Sequence, residues 1–341
     1  MKIMVTGGAG FIGSNLCEAF LERGDEVVCL DNFSTGHYKN IEHFVNNNKF
    51  SLIEGDIRVF SVCASAVKDC DIVHHHAALG SVPRSIASPL DTVDTNIGGF
   101  VNVLYAAKEA GIKRFVYAAS SSTYGDSKKM PKIEHIIGSA LSPYAITKYV
   151  DELFAKNFSD IYGIETIGLR YFNVFGKNQD PHGGYAAVIP KFVSSLMNYS
   201  SPTINGDGTY SRDFTYIKNV LQANILASST PGGVITEKIM EYNSSQGIDE
   251  VPGENISEVF NVACGVRTTL NELADTLNRN LSEYDSRIST VPVKHAETRE
   301  GDIPHSLASI EKIAAVLGYS PEYSVEDGLK EACKWYYDHL R

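Results

Sequence analysis

Two clusters of residues in this chain could do chemistry together. Gly7-Gly8-Ala9-Gly10-Phe11-Ile12-Gly13 stands near the start, and Tyr144-Ala145-Ile146-Thr147-Lys148 lies far downstream. A glycine-rich turn between a strand and a helix lets the backbone close on a pyrophosphate, which then sits at the helix N-terminus. Tyr144 and Lys148, four residues apart on a helix, share one face. An ammonium group there, together with the positive ring of an oxidised nicotinamide, favours a phenolate and makes the tyrosine a workable general base. The two clusters point to redox chemistry in which the tyrosine moves a proton and a nicotinamide moves a hydride.

The glycines fit two spacings. Gly8, Gly10 and Gly13 satisfy G-x-G-x-x-G, and Gly7, Gly10 and Gly13 satisfy G-x-x-G-x-x-G. Asp31 ends the next apolar run, where an acid accepts from a ribose 2′-hydroxyl and repels a 2′-phosphate, so NAD is expected rather than NADP. Asn32 follows it, Asp56-Ile57 stands where adenine would lie, and Ala77-Ala78 and Asn96 are expected along the cofactor. Phe11, Ile12, Ser34, Thr35, Gly36 and Phe172 complete the expected cofactor set. His74-His75-His76 invites a zinc reading, but adjacent strand residues alternate faces and cannot converge on one ion, so no metal is expected. A second Y-x-x-x-K, Tyr124/Lys128, contains Gly125, Asp126 and Ser127 and reads as a loop. The first opens a helix behind Ser142-Pro143, a cap and a first-turn proline. Ser120-Ser121-Ser122 ends a strand at the carboxyl edge of the sheet, where ligands bind in open α/β folds. One of the three hydroxyls should meet the reacting oxygen.

These residues need a scaffold of alternating strands and helices. Lys2–Thr6, Glu26–Asp31, Phe50–Ile53, Asp71–Ala77, Arg114–Ser120 and Glu165–Tyr171 read as strands. Phe11–Arg23, Val101–Ala110 and Tyr144–Tyr162 read as helices. The alternation implies βαβ units and a parallel sheet covered on both faces. Past residue 175 elements shorten and turn clusters such as Asn205-Gly206-Asp207-Gly208 appear, which suggests a second, smaller lobe. Residues 228–257 are the least structured by composition and read as an exposed insertion. The chain has 341 residues, enough for two lobes, and its formal charge of −11 argues against generic nucleic-acid binding. No apolar run approaches the ~18 residues a membrane span needs. Cysteines 17, 29, 63, 70, 264 and 333 contain no C-x-x-C and read as reduced core thiols of a cytoplasmic protein.

The combination Thr6–Gly13, Asp31-Asn32, Ser120-Ser121-Ser122-Thr123-Tyr124-Gly125, Tyr144–Lys148 and Leu169-Arg170-Tyr171-Phe172-Asn173-Val174 resembles the extended short-chain dehydrogenase/reductases, and within them the UDP-sugar 4-epimerases. Leu79-Gly80-Ser81-Val82-Pro83-Arg84-Ser85 and Tyr185-Ala186-Ala187-Val188-Ile189-Pro190-Lys191 are similar to the branch acting on UDP-N-acetylglucosamine and its uronic acid. The resemblance covers nearly the whole chain except 228–257. It implies a Rossmann-like doubly wound domain over 1–175 and a UDP-sugar-binding lobe over 176–341. It also implies tightly bound NAD that is recycled, a transient 4-keto sugar, and a homodimer through helices near 90–110 and 142–162. Ser120 matches the catalytic hydroxyl, Tyr144 the base and Lys148 the group that holds the nicotinamide ribose. For the substrate the resemblance marks Ser81, Arg84, Ser120, Ser121, Ser122, Asn173, Ala187, Val188, Asn205, Arg212, Arg267, Arg299, Asp302 and Ser306. Arginines can grip a pyrophosphate through bidentate hydrogen bonds. Epimerases limited to glucose and galactose carry a tyrosine where Ser306 stands, and a small residue leaves room for an N-acetyl group. The expected reaction is therefore C4 epimerisation of UDP-N-acetylglucosamine. The rival readings are UDP-glucose/UDP-galactose epimerase, UDP-glucuronate epimerase or decarboxylase, and a non-catalytic NAD-binding regulator. A 4,6-dehydratase would carry Asp-Glu where Ser121-Ser122 stands.

Overall fold

The computed structural model describes residues 1–181, 187–249, 253–298 and 304–340. Strands and helices alternate through the first half: β1 (Lys2–Thr6), α1 (Phe11–Glu22), β2 (Glu26–Asp31), β3 (Phe50–Glu54), α2 (Phe60–Ala66), β4 (Ile72–His75), α3 (Val82–Ala87), α4 (Pro89–Val93), α5 (Gly99–Glu109), β5 (Arg114–Ser120), α6 (Pro143–Tyr162) and β6 (Glu165–Tyr171). Then come β7 (Val174–Phe175), α7 (Val188–Met197), β8 (Thr203–Asn205), β9 (Ser211–Arg212), β10 (Thr215–Tyr216), α8 (Ile217–Ser229), α9 (Gly232–Gln246) and β11 (Ser257–Val262). The chain finishes with β12 (Thr268–Thr269), α10 (Leu270–Ser282), β13 (Lys294–Ala296), α11 (Glu311–Leu317) and α12 (Val325–His339).

Seven strands form a parallel sheet in the order β11-β6-β5-β4-β1-β2-β3, a Rossmann-like α/β fold. Side chains alternate across it. Ile3 and Val5 meet Leu16 and Phe20 of α1, whereas Met4 joins Phe100, Phe115 and Tyr117 on the α5 and α6 face. After β1 the chain winds one way through β2 and β3, then crosses to β4 on the other side. That reversal opens a crevice above the carboxyl ends of β1 and β4.

The chain re-enters this sheet late. α8 packs beside α1 and against β5 and β6, and β11 pairs with β6. Buried Arg114 ties the two regions together: its Nη1 donates to the carbonyls of Ala227 at 3.0 Å and Thr230 at 2.6 Å, at the end of α8. The remaining helices α7, α10, α11 and α12 share a core with the sheet's α8 face.

The unstructured reading of 228–257 is corrected. Half of that stretch is helix α9, which ends on Gly247 in the left-handed conformation. Ile235, Ile239 and Tyr242 form a stripe at helical spacing that is buried against α11. The Ser-Ser-Thr-Pro-Gly-Gly run that suggested a loop only joins α8 to α9, and packing of the stripe overrides the weak propensity of the polar residues beyond it. No helix among the described residues is long and apolar enough to cross a membrane.

Candidate active site

A cavity of about 420 Å³ fills the crevice, a size suited to a small-molecule site. At one end stands the glycine turn. Gly7 has φ +67°, and a Cβ there would lie 2.7 Å from the Ala77 nitrogen. A Cβ on Gly13 would lie 2.0 Å from the Gly7 carbonyl oxygen, so α1 can approach β1 only with glycine there. Gly7, Gly10 and Gly13 line the cavity, with Phe11 and Ile12. Gly8 instead faces inward, where a Cβ would meet Cys29 Sγ at 2.5 Å. The spacing that serves the cavity is therefore G-x-x-G-x-x-G. No side chain caps the start of α1, so its first N–H groups are left for an anion.

Asp31 lines the same end and holds two loops. Its carboxylate accepts from Ala9 N at 2.9 Å and from Phe33 N at 2.8 Å. Asn32, Ser34, Thr35, Ile57, Ala77 and Ala78 complete this wall. Gly36 stands against the Asp31 carboxylate, where a Cβ would come within 2.9 Å. Asp56 lies one step behind, accepting from Asn32 Nδ2 at 2.9 Å, and its bonds to Arg58 hold its pKa down to about 2. Two of the expected cofactor residues stand back from the wall. The amide of Asn96 is buried and used up: Oδ1 accepts from Leu79 N at 2.7 Å, and Nδ2 donates to Leu79 O at 3.3 Å and Thr147 Oγ1 at 3.1 Å. It fixes the backbone of Leu79, which does line the cavity. The Phe172 side chain sits outside the wall, packed in a cluster with Tyr124, Ala263 and Ala308.

At the other end Ser120, Tyr144 and Lys148 meet around the cavity. Ser142 Oγ caps α6 by accepting from Ala145 N at 3.1 Å, with Pro143 in the first turn, so Tyr144 is delivered one turn below Lys148. Lys148 Nζ is buried and donates to Ala118 O at 3.0 Å and Asp151 Oδ2 at 3.1 Å. Burial works against its charge, but the Asp151 carboxylate prevails and its pKa is raised. Ser120 Oγ accepts from Ser122 Oγ at 2.9 Å, so the second hydroxyl supports the first. Ser121 and Ser122 lie in the short turn behind it.

Four of the substrate-side residues, Asn173, Arg212, Arg267 and Ser306, lie on or next to segments bonded to β9 or to Asp213 just after it. Asn173, at φ +37°, lines the cavity and donates from Nδ2 to Asp213 O at 2.9 Å. Arg212 immediately precedes Asp213 in the chain and donates to Ser211 O at 3.0 Å. Thr268, next to exposed Arg267, pairs with Arg212 across β12 and β9. Ser306 N donates to Ser211 O at 3.0 Å, which draws that segment to the same strand. Ala187 and Val188 start α7, Asn205 ends β8, and Ser81 caps α3 by accepting from Arg84 N at 3.2 Å. Arg299 and Asp302 lie outside the described residues.

The histidine run alternates as a strand must. His74 bonds Asn224 at 3.2 Å and Ser228 at 2.6 Å on α8, while His75 turns to Thr6 Oγ1 at 3.0 Å and Phe100. His76 lines the cavity and bonds the Tyr171 hydroxyl at 2.9 Å. Burial drives the pKa of His74 and of His75 down to about 3, and that of His76 well below its ordinary value. Sequence reasoning took the histidine run as a strand passing the cofactor pocket, but missed Tyr171 as a cavity wall and Asp151 as the partner of Lys148. The last was legible: it stands three residues after Lys148 on the same helix.

The family model described as the NAD dependent epimerase/dehydratase family matches residues 3–241. The chain belongs to the NAD-dependent epimerase/dehydratase family. Among solved structures it is similar to a UDP-N-acetylglucosamine 4-epimerase from Methanobrevibacter ruminantium M1 in complex with UDP-N-acetylmuramic acid, with TM-score 0.86, 36% identity, and coverage of 99% of this chain and 98% of that one. It is also similar to a UDP-glucose 4-epimerase from Thermotoga maritima with UDP-glucose, with TM-score 0.84, 32% identity and complete coverage of both chains. A putative UDP-glucose 4-epimerase of Methanocaldococcus jannaschii is 33% identical over 98% of this chain and 97% of its own. This member of the NAD-dependent epimerase/dehydratase family is thus an extended short-chain dehydrogenase/reductase. The glycine cradle, the uncapped α1 terminus and Asp31 fit the dinucleotide that the family uses.

Proposed function

We propose that this protein is a UDP-sugar 4-epimerase acting on UDP-N-acetylglucosamine and UDP-N-acetylgalactosamine. One observation carries the reading: Ser120, Tyr144 and Lys148 line the same cavity as the glycine turn. A regulator that only bound NAD would need the turn but not this trio. NAD, when bound, supplies a reversible hydride acceptor for C4 of the sugar. Tyr144 takes the proton from the 4-hydroxyl and later returns it, so one phenol serves both directions. Lys148 holds the ribose and lends positive charge beside the phenol. Ser120, steadied by Ser122, orients the reacting oxygen. Asn173, Arg212, Arg267, Arg299 and Asp302 grip the nucleotide end, the arginines by bidentate bonds to the diphosphate.

Ser306 supports the N-acetylated substrate. Its backbone is tied to Ser211, beside Arg212, at the position where the resemblance marks a tyrosine in epimerases limited to glucose and galactose. The ligand of the Methanobrevibacter relative also carries an N-acetyl group. The active form is a homodimer. Ile86 of α3, Leu90 of α4, and Ile146, Leu153 and Ile161 of α6 are large apolar side chains more than half exposed, an unusual concentration on helices of one face of the sheet.

The deciding experiment incubates the purified protein with UDP-N-acetylglucosamine without added NAD and follows the sugar by proton NMR. UDP-N-acetylgalactosamine should appear and reach equilibrium. No conversion even with NAD supplied, alongside turnover of UDP-glucose, overturns the substrate assignment. Inertness toward every UDP-sugar overturns the epimerase reading.

A further inference from the structure

Lys148 is wholly buried, and a buried ammonium left alone gives up its proton. Asp151 prevents this. It lies one turn further along α6, completing a stripe of Tyr144, Lys148 and Asp151 at spacings of four and three. Its side chain has no exposed surface, Oδ2 accepts from Lys148 Nζ at 3.1 Å, and Oδ1 has no partner among the described residues. An orphaned carboxylate oxygen costs stability and is not what packing alone would keep. Among the described residues no other acid bonds Lys148 Nζ. Neighbouring Glu152 is taken by Arg170 of β6, whose Nε and Nη2 reach its two oxygens at 2.9 and 2.7 Å.

We propose that Asp151 is a positioning residue of the reaction: its carboxylate keeps Lys148 an ammonium and holds Nζ at the cavity wall beside Ala118 O. This rests on the reading above that Lys148 acts on the cofactor ribose and beside Tyr144. The groups facing the pair are Tyr144 and Glu152 on α6, His75 on β4 and His76 just after it, Tyr117 on β5 and Arg170 on β6. Both histidines stay neutral through burial and Tyr117 is pushed up by burial, so neither supplies the missing negative charge. Burial pushes the Asp151 carboxyl up, and Lys148 pulls it back down.

The test compares the NAD-loaded protein with Asp151→Asn, which keeps the shape and removes the charge. NMR of [13Cε]lysine-labelled protein, with the Lys148 resonance identified by its loss in Lys148→Met, follows the ammonium directly. The Lys148 midpoint should fall by at least one pH unit in Asp151→Asn, a tenfold change in its acid constant. The alkaline limb of kcat/KM for UDP-sugar epimerisation should move down with it. A merely structural role would lower stability or kcat without moving either midpoint, and equal midpoints in the two proteins overturn the proposal. Asp151→Ser is the second variant. Should neither fold, the wild-type resonance decides: a midpoint at or above that of ordinary lysine supports the pair, and one below it overturns it. A shifted midpoint in a protein that turns over no UDP-sugar sinks the functional reading and leaves the charge pairing standing.

Discussion

Tyr144 and Gly13 separate chemistry from binding. Tyr144→Phe removes the hydroxyl that carries the proton and should lower kcat by ~10²–10⁴, the usual worth of a positioned acid–base group. Bound NAD, measured after acid extraction, should stay at the wild-type ratio. Gly13→Ala should do the reverse. Its Cβ would lie 2.0 Å from a backbone oxygen of the turn, so α1 must back away, and the purified protein should carry little or no NAD. Retained NAD in Gly13→Ala would count against the cradle. Ser306→Tyr addresses specificity: activity on UDP-N-acetylglucosamine should fall at least tenfold while any activity on UDP-glucose survives, as read by NMR. Much of this was legible because the side chains in question have one job, and a motif states it. Asn96 and Phe172, which stand behind the wall, were harder to read for the opposite reason. An amide or a phenyl ring beside a site can face the ligand or brace the wall, and only its hydrogen bonds and packing partners distinguish the two.

At the scale of elements, β4 makes the protein acid-sensitive. The unfolded chain protonates each histidine as pH falls through about 6.5. The folded chain keeps His74 and His75 neutral until about 3, and burial holds His76 well below its ordinary value. Between those limits the unfolded state binds more protons, so stability falls with falling pH, by up to about 4 kcal/mol per pH unit from three such groups. In urea unfolding between pH 6 and 4.5 the raised carboxyls of Asp151 and Asp213 oppose this slope, and His74→Gln should lower the wild-type slope by about 1.4 kcal/mol per pH unit. An unchanged slope in the variant would assign the acid response to carboxylates. Ser142→Ala should cost about 1 kcal/mol through loss of the α6 cap. The strands of the first half were readable because they are buried on both faces and form short apolar runs between turns. α9 was not, since its stripe of Ile235, Ile239 and Tyr242 is diluted by polar residues and gains its stability only on docking. The partnership of α6 with β5 and β6, which buries Asp151, likewise exists only once the sheet is assembled.

At the scale of the whole molecule, the exposed apolar side chains of α3, α4 and α6 predict a dimer. Leu90→Glu combined with Leu153→Glu should shift the protein to monomer in sedimentation velocity without changing its far-ultraviolet circular dichroism. An unchanged sedimentation coefficient would place the interface elsewhere. The two lobes are not separable units. A fragment of residues 1–175 lacks both α8, which covers His74 and Arg114, and β11, which pairs with β6. It should bind hydrophobic dye and give poorly dispersed NMR spectra. The late return of β11 also governs how the chain is born. Strand β6 is finished at residue 171, but its outer neighbour is not complete until residue 262. Throughout that interval of synthesis the nascent sheet presents a bare edge able to pair with any other extended chain. Contacts this distant in sequence form slowly, so a ribosome that stalls within the interval releases a chain fit for a chaperone and not half an enzyme.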